Sequence, residues 1–487
     1  MISPIQSLGN LVGRVGTSLD SAINDRTIRV AVTGLSRAGK TVFLTSLIVN
    51  LLAMKAGRDT LPAFRACLDR DGPNRLRNVR LLPAGAGTTP RFDVAGKLAE
   101  LSSDQPHWPA RTDDLAEISL ELEIAPPEGV LHTLRGFAGT PRITLSLLDY
   151  PGEWLLDLPM LPKPFDQWSV ETLALLRQPP REAIARPFLE FLTAIDPAGD
   201  ADDALLLRGH RLYRDLLLDC RQRLGLRYLQ PGRFLCPGPR TEAPFMWFFP
   251  LDNAPATPRS GSMGALLRDR FEAYKTDIRT SFFDTHFRAF DRQIVLVDVL
   301  GALHAGKTAY EDTERAIADI AAGLANSGDL FGQLTGGWLG SAGIDRVAFV
   351  ATKADHVPEL QRQNLRALLR DMAQSARAHG PDGDDAVSYH VAASVVSTTD
   401  GWADRVGGPR DPVVWGRELG PPGSATRERR AYHVGTVPIS RPPEGFWSGQ
   451  YFDLPVFTPP PIDPAGTNGI QHMGLDQILA DLIGDRL

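Results

Sequence analysis

The chain has 487 residues, enough for two or three ordinary domains with real cores. Its 43% hydrophobic and 23% charged residues read as a soluble globular protein, and a formal charge of -6, from 52 basic against 58 acidic side chains, argues against nucleic acid as a partner. Cys67, Cys220 and Cys236 are too few and too oddly spaced for a disulfide framework or a metal quartet, and no apolar stretch reaches the ~18–20 residues needed to cross a bilayer.

Residues 1–26 lack the basic head and continuous apolar block of a secretory signal. Ile5, Leu8, Leu11, Val12, Val15, Leu19 and Ile23 stand at helical spacing and predict an amphipathic helix, packed on the body of the protein or meeting a partner or membrane surface. A strand Ile28–Thr33 then leads into "GLSRAGKT" at 34–41, and "TVFLTSLIVNLLAM" predicts a helix directly after it. Further strands are expected at Ile118–Ile124, Ile143–Leu148, Gln293–Val299, Arg346–Ala351 and Val387–Ala392, alternating with helical patterns. This alternation predicts an α/β fold, a mainly parallel sheet flanked by helices, divided between 27–154 and 291–400. The interval 155–290 reads as helices broken by Pro and Gly, a helical domain inserted into the α/β domain. From 401 to about 470 the Pro- and Gly-rich sequence suits surface wrapping, and a last helix, Leu475–Ile483, closes the 401–487 segment on the α/β domain.

Two stretches fit the phosphate-loop pattern of a glycine, four residues and Gly-Lys-Thr: "GLSRAGKT" at 34–41 and "GALHAGKT" at 301–308. In such a loop a strand feeds a tight turn into a helix N-terminus, so that N–H groups converge on phosphate, the lysine neutralises charge and the hydroxyl reaches Mg2+. Gly34, Ser36, Arg37, Ala38, Gly39, Lys40, Thr41 and Val42 would supply that cradle in the first copy. Pattern does not separate the two copies, but their downstream company does. After the first comes "LSLLDYPGEW", where Asp149 can hold Mg2+ through water and the Gly152 N–H can meet a γ-phosphate. Next is "RVAFVATKAD", whose Thr352, Lys353 and Asp355 match a guanine-reading [N/T]-K-x-D motif. Asp355 would accept from the guanine N1 and N2 hydrogens, and Lys353 would lay its stem over the base. "VAASVVS" ends another strand, and Ala393, beside Ser394, is the expected backbone donor to the guanine O6. The second copy has no Asp-x-x-Gly between itself and Thr-Lys-x-Asp, and reads as a strand's exit turn and the start of a helix.

The stretches "GLSRAGKTVFLTSL", "WPARTDDL", "LLDYPGEWLLDLP", "VLVDVL", "ATKADHV" and "LDQILADLIGDRL" together resemble the YcjX-like family of bacterial P-loop GTPases. That resemblance implies a P-loop NTPase core of the GTPase kind binding GTP or GDP with Mg2+, and a large helical insertion. It also implies a cytoplasmic location, or a peripheral one at the inner membrane, a link to stress responses, and a protein partner, a membrane protein among the options, meeting the helical domain or the switch loops. Thr112 is the expected switch residue closing on Mg2+ and the γ-phosphate, with Thr88 and Thr89 as rivals and an N-cap role as the plain alternative for all three. Glu153 stands where many GTPases carry the glutamine that orients the attacking water. Arg37 occupies the position at which guanylate-binding proteins and atlastins, whose loops "GLSRAGKT" resembles, carry an arginine finger in cis; Arg111 is its rival. The reading is a GTPase switch that hydrolyses GTP to GDP and phosphate. Its alternatives are a non-hydrolysing, nucleotide-stabilised scaffold and an ATP-dependent phosphotransferase.

Overall fold

Near-continuous apolar runs mark strands buried on both faces, and "IRVAVT" at 28–33 is one of them. It forms the centre of β1, Asp25–Gly34, in a computed structural model that describes residues 25–85, 89–110, 114–125, 141–253, 257–325, 344–374, 386–404, 408–420, 428–448 and 452–487. The amphipathic helix expected over 1–26 therefore lies almost entirely outside the described residues.

The fold is mixed α/β around a seven-stranded sheet of order β2-β3-β4-β1-β5-β6-β7. Its strands are β2 (Leu76–Leu81), β3 (Ala116–Ile124), β4 (Arg142–Asp149), β1, β5 (Arg292–Val297), β6 (Arg346–Ala351) and β7 (Val387–Val391). β1 runs parallel to both β4 and β5, and β6 and β7 continue in the same sense. β3 and β2 are added antiparallel at the other edge. Alternate side chains divide between two cores, as strand periodicity requires. Ile28, Val30, Val32, Ile294 and Leu296 face α1 (Lys40–Lys55), α2 (Pro62–Leu68) and the closing helix, whereas Val295, Val297, Phe349 and Ala351 face the other layer.

The stretch from β4 to β5 is helical among its described residues. It holds α4 (Phe165–Leu176), α5 (Arg181–Thr193), α6 (Asp203–Arg223), the short α7 (Gly232–Leu235) and α8 (Met263–Ile278), with α3 (Val94–Ser102) lying earlier in the chain. An aromatic centre fills it: Trp168 stacks on Phe271 at 5.0 Å, and Phe248 lies edge-on to Phe234 at 4.9 Å. This layer is joined directly to the segment after β4. Asp157 accepts from the Gly232 N–H (2.6 Å) and the Tyr274 hydroxyl (2.8 Å), and the Trp154 indole N–H donates to Cys236 O (2.9 Å).

Three details depart from the sequence reading. β2 was not expected, because "LRNVRL" shows one buried apolar residue, Val79, between arginines; pairing with β3 makes it a strand. β5 ends at Val297, not Val299, because Asp298 accepts from the Gly301 N–H (2.9 Å) and caps α9, Val299–His304. The Pro- and Gly-rich stretch expected only to wrap the surface contains a small antiparallel sheet of β8 (Thr398–Ala403), β9 (Asp411–Gly416) and β10 (Arg430–Tyr432).

The last helix forms over Leu475–Ile483 as expected, with Leu475, Ile478, Leu479, Leu482 and Ile483 buried against the sheet. Fully buried Arg292 holds its end, donating to Leu482 O (2.6 Å) and pairing with Asp485 (2.8 Å). Leu482→Ala should lower unfolding stability by about 2–5 kcal/mol, measured by denaturant titration, because the site is fully buried and ringed by core residues.

Candidate functional site

β1, β4, β5 and β6 all end at one edge of the sheet, and the sequence places a polar residue or a turn at each end. β1 gives way to the loop Gly34–Gly39, in which Arg37 (φ 71°) and Gly39 (φ 78°) are left-handed on either side of Ala38. Alternating handedness turns successive N–H groups toward one point, the geometry of an anion nest. α1 begins at Lys40 with no side-chain cap on its N-terminus, so its first N–H groups add to the same field. The loop tolerates no bulk from behind: a β-carbon at Gly34 would come within 2.9 Å of Leu296 Cβ. One at Gly152 would come within 2.5 Å of the Gly34 carbonyl carbon. Gly152 is thereby held against the loop, two residues past Tyr150, whose carbonyl accepts from the Thr33 hydroxyl (3.1 Å).

Lys40 Nζ lies 2.8 Å from Asp149 Oδ1, with the Asp149 side chain 1% exposed. The second carboxylate oxygen, Oδ2, is buried and has no hydrogen-bond partner among the described residues. Burial raises the Asp149 pKa above the ordinary carboxylate value in spite of Lys40. An orphaned, desolvated carboxylate oxygen beside an anion nest and the Thr41 position fits a divalent cation held next to phosphate.

At the other end of the edge, β6 stops at Ala351 and the chain turns through Thr352 and left-handed Lys353 (φ 60°). Lys353 Nζ donates to Asp298 Oδ2 (2.6 Å). Burial works to raise the Asp298 pKa, but Lys353 and the Gly301 N–H outweigh it and hold it below the ordinary value. Asp355 is 2% exposed; its Oδ2 accepts from both the N–H and the hydroxyl of Ser397, each at 2.8 Å. That leaves the carboxylate oriented, and a cleft of about 740 Å3 joins it to the loop.

The cleft brings together Gly34, Ser36, Arg37, Ala38, Gly39, Lys40, Thr41, Val42, Glu153, Thr352, Lys353, Asp355, Ala393 and Ser394. Asp149 and Gly152 lie directly behind its wall through their contacts with Lys40 and Gly34. Thr112, Arg111 and Thr88 lie outside the described residues. Ala393 requires a correction. Its N–H donates to Met473 O (3.0 Å) and its carbonyl accepts from Met473 N–H (2.8 Å), so its N–H is not open to a ligand.

Among the parts of the cleft not foreseen are Trp108, Arg227, Asp298 and the run Leu454–Val456. The Trp108 indole N–H donates to Phe457 O (2.7 Å), tying the C-terminal stretch over the cleft. Asp298 stood in the quoted "VLVDVL", whose polar strand-end residue was a readable signal. Arg227 and Leu454–Val456 stand in Pro- and Gly-punctuated segments that carry none.

The second Gly-Lys-Thr stretch is built differently. Residues 299–304 are helical, and the N–H groups of Ala302, Ala305 and Gly306 donate to Asp298 O (3.1 Å), Gly301 O (3.0 Å) and Leu303 O (3.2 Å). N–H groups spent inside a helix do not converge on a ligand. Lys307, at the start of α10 (Lys307–Ala325), pairs with Glu444 at 2.5 Å on the surface.

Comparison with known proteins agrees over almost the whole chain. The model of the YcjX-like family, DUF463, matches residues 28–487. An Escherichia coli (strain K12) protein named Ras-like GTPase YcjX is 35% identical over 485 residues, covering 97% of this chain and 99% of that protein. A Shewanella oneidensis protein of the same name is 32% identical over 483 residues, covering 95% of each.

Lys40→Ala and Lys307→Ala should separate the two loops. In isothermal titration with GTP and Mg2+, Lys40→Ala should weaken binding roughly 10- to 100-fold, the range for losing a charged hydrogen-bond partner. Lys307→Ala should leave affinity and a single site per chain unchanged; two sites, one of them lost in Lys307→Ala, would overturn this reading.

Proposed function

The chain belongs to the YcjX-like family, and from that premise we propose that it is a P-loop GTPase: it binds GTP, hydrolyses it to GDP and phosphate with Mg2+, and changes state as it does so. The observation carrying this reading is the shared cleft, which joins the anion nest at Gly34–Thr41 to the oriented carboxylate of Asp355. The sheet order, with β1 between two parallel neighbours and the ligand edge at the strand C-termini, is the arrangement in which α/β proteins bind nucleotides.

In this reading the phosphates take up the nest of N–H groups and draw Lys40 from Asp149. Thr41, Asp149 and Thr112 are the residues that would hold Mg2+. The bound cation supplies neutralisation of charge on the phosphate oxygens. The Gly152 N–H, fixed against the loop, meets the terminal phosphate. A water oxygen bonds to the γ-phosphorus as the bridging bond breaks, and the electron pair leaves on the β-phosphate oxygen. The water's protons pass to solvent and the phosphate product. Glu153 lines the same cleft, and its carboxylate is the group on this stretch suited to hold that water. Arg37 is exposed at the mouth of the loop and presents a guanidinium to charge developing on the phosphoryl group. At the far end Asp355 accepts from the base N1 and N2 hydrogens, Lys353 covers the ring, and Ser394 replaces Ala393 as the expected donor to O6.

Asp355→Asn tests the reading. It replaces the acceptor for two base hydrogens with a mismatched amide, so GTP affinity should fall about 10- to 100-fold, the range for a lost charged hydrogen bond. Xanthosine triphosphate, with an oxygen at C2, should gain relative to GTP. Competition binding with GTP, XTP and ATP measures this, and unchanged preference for GTP in Asp355→Asn contradicts guanine recognition here.

A further inference from the structure

After α6 the chain passes through left-handed Gly225 (φ 70°) and brings Arg227 to the lining of the cleft that also holds the phosphate loop. The backbone there is fixed independently of the Arg227 side chain. Asp312, on α10 and 7% exposed, accepts from the N–H groups of Arg227 (2.5 Å) and Tyr228 (2.7 Å) through one oxygen, and pairs with buried Arg181 through the other. A loop anchored by a buried carboxylate in this way fixes the point from which its side chain leaves the backbone at the cleft.

The guanidinium itself is poorly matched in the protein alone. Its Nη1 reaches Leu226 O at 3.3 Å, and no carboxylate of the described residues pairs with it. Burial lowers its pKa, Asp298, Glu153 and Asp312 act against that, and Arg37 adds to it, so the two arginines repel across the cleft. The cationic field extends further. Arg37 and Arg227 also line a neighbouring cleft of about 970 Å3 with Lys97, Arg214 and Arg221 against one acidic side chain, Asp114. Arg214 Nε and Arg221 Nη1 are buried there without hydrogen-bond partners among the described residues. Exposed Arg37 and half-buried Arg227 line the same two clefts, and like charges held this close are stabilised by an anion placed between them.

We propose that Arg227 is a catalytic residue of the GTPase reaction, forming with Arg37 a clamp of two arginines on the transferring phosphoryl group. The phosphate loop supplies one and the helical stretch between β4 and β5 the other. This rests on the GTPase reading given above and names a residue that reading lacks. Arg227 stabilises the charge that builds on the γ-phosphoryl oxygens and the β-phosphate leaving group as the bridging bond breaks. Because its backbone is bolted to α10 through Asp312, the position of the helical stretch sets the rate of hydrolysis.

The experiment compares the full-length protein with Arg227→Ala, Arg227→Lys and Arg37→Ala. Single-turnover hydrolysis of GTP should fall ~10³-fold or more in Arg227→Ala, and Arg227→Lys should recover little of it, because an ammonium lacks the planar fork. GDP affinity should stay within about threefold, as for a group acting on the terminal phosphoryl alone. The tightening of GDP binding by aluminium fluoride should disappear. The thermal midpoint should not move, since among the described residues the side chain makes only the one bond to Leu226 O. If the wild-type protein binds GTP but turns it over too slowly to follow, the ratio of affinities for a non-hydrolysable GTP analogue and GDP is read instead, and Arg227→Ala should lower it about tenfold. Hydrolysis, fluoride response and affinity ratio all at wild-type level in Arg227→Ala would overturn the proposal while leaving the GTPase reading intact. A wild-type protein that binds no guanine nucleotide refutes that reading, and the role of Arg227 with it.

Discussion

The Lys40–Asp149 ion pair is the interaction on which the cleft depends. It exists because β1 and β4 run parallel in a register that sets Val32 beside Asp149, so a lysine starting the helix after one strand meets a carboxylate ending the next. Pairing two charges in a site this dry costs desolvation that one contact at 2.8 Å does not fully offset, and the second carboxylate oxygen has no partner among the described residues. The pair therefore satisfies the loop without satisfying itself. A ligand that brings both an anion for Lys40 and a cation for Asp149 meets two needs already present in the folded chain. The same register brings Gly152 against Gly34, a contact between two backbones with no side chain in between.

The segment after β4 carries that contact outward. Its residues beyond Gly152 are nearly all buried, and several bonds tie them to the helical layer. Asp157 is the junction: burial pushes its pKa up to about 6, while the Gly232 N–H and Tyr274 hydroxyl favour its charged form. At Gly232 a β-carbon would lie 1.8 Å from Glu153 O, which makes the two segments one packed unit. A displacement of Gly152 by a fraction of an ångström has no slack to be absorbed in, since close-packed interiors shift between discrete arrangements.

The sequence showed the sheet and the chemistry at its edge because both are written locally. "IRVAVT", "ITLSLL" and "RVAFVA" are strands whichever neighbours they pair with, and Gly-x-x-x-x-Gly-Lys-Thr, Asp-x-x-Gly and Thr-Lys-x-Asp each occupy a single turn. What stayed hidden depends on distant partners. β2 has one buried side chain and becomes a strand by pairing with β3. Ala393 stands next to the right place in its loop, but Met473, far along the chain, takes its N–H. Arg227 has no motif around it, and its backbone is set at the cleft by the carboxylate of Asp312 on a helix far along the chain. Company along the chain also separated the two Gly-Lys-Thr stretches, but the physical reason is three-dimensional: Asp298 caps a helix across the second, and its N–H groups are consumed there.

The C-terminal stretch bears on how the molecule is made. Asn50, on the helix that leaves the phosphate loop, exchanges two hydrogen bonds with the backbone of Ile470, each at 3.0 Å, and His472 reaches Thr60 O at 2.7 Å. Trp108 is tied to Phe457, and Leu454–Val456 close the cleft wall. On the ribosome the loop, the lysine and the carboxylate emerge long before these residues do. During synthesis the nest stands with one wall missing and Asn50 without the backbone it binds. Completion of the pocket thus waits for residues 454–472, and a nascent chain becomes competent to retain its ligand only once they have docked.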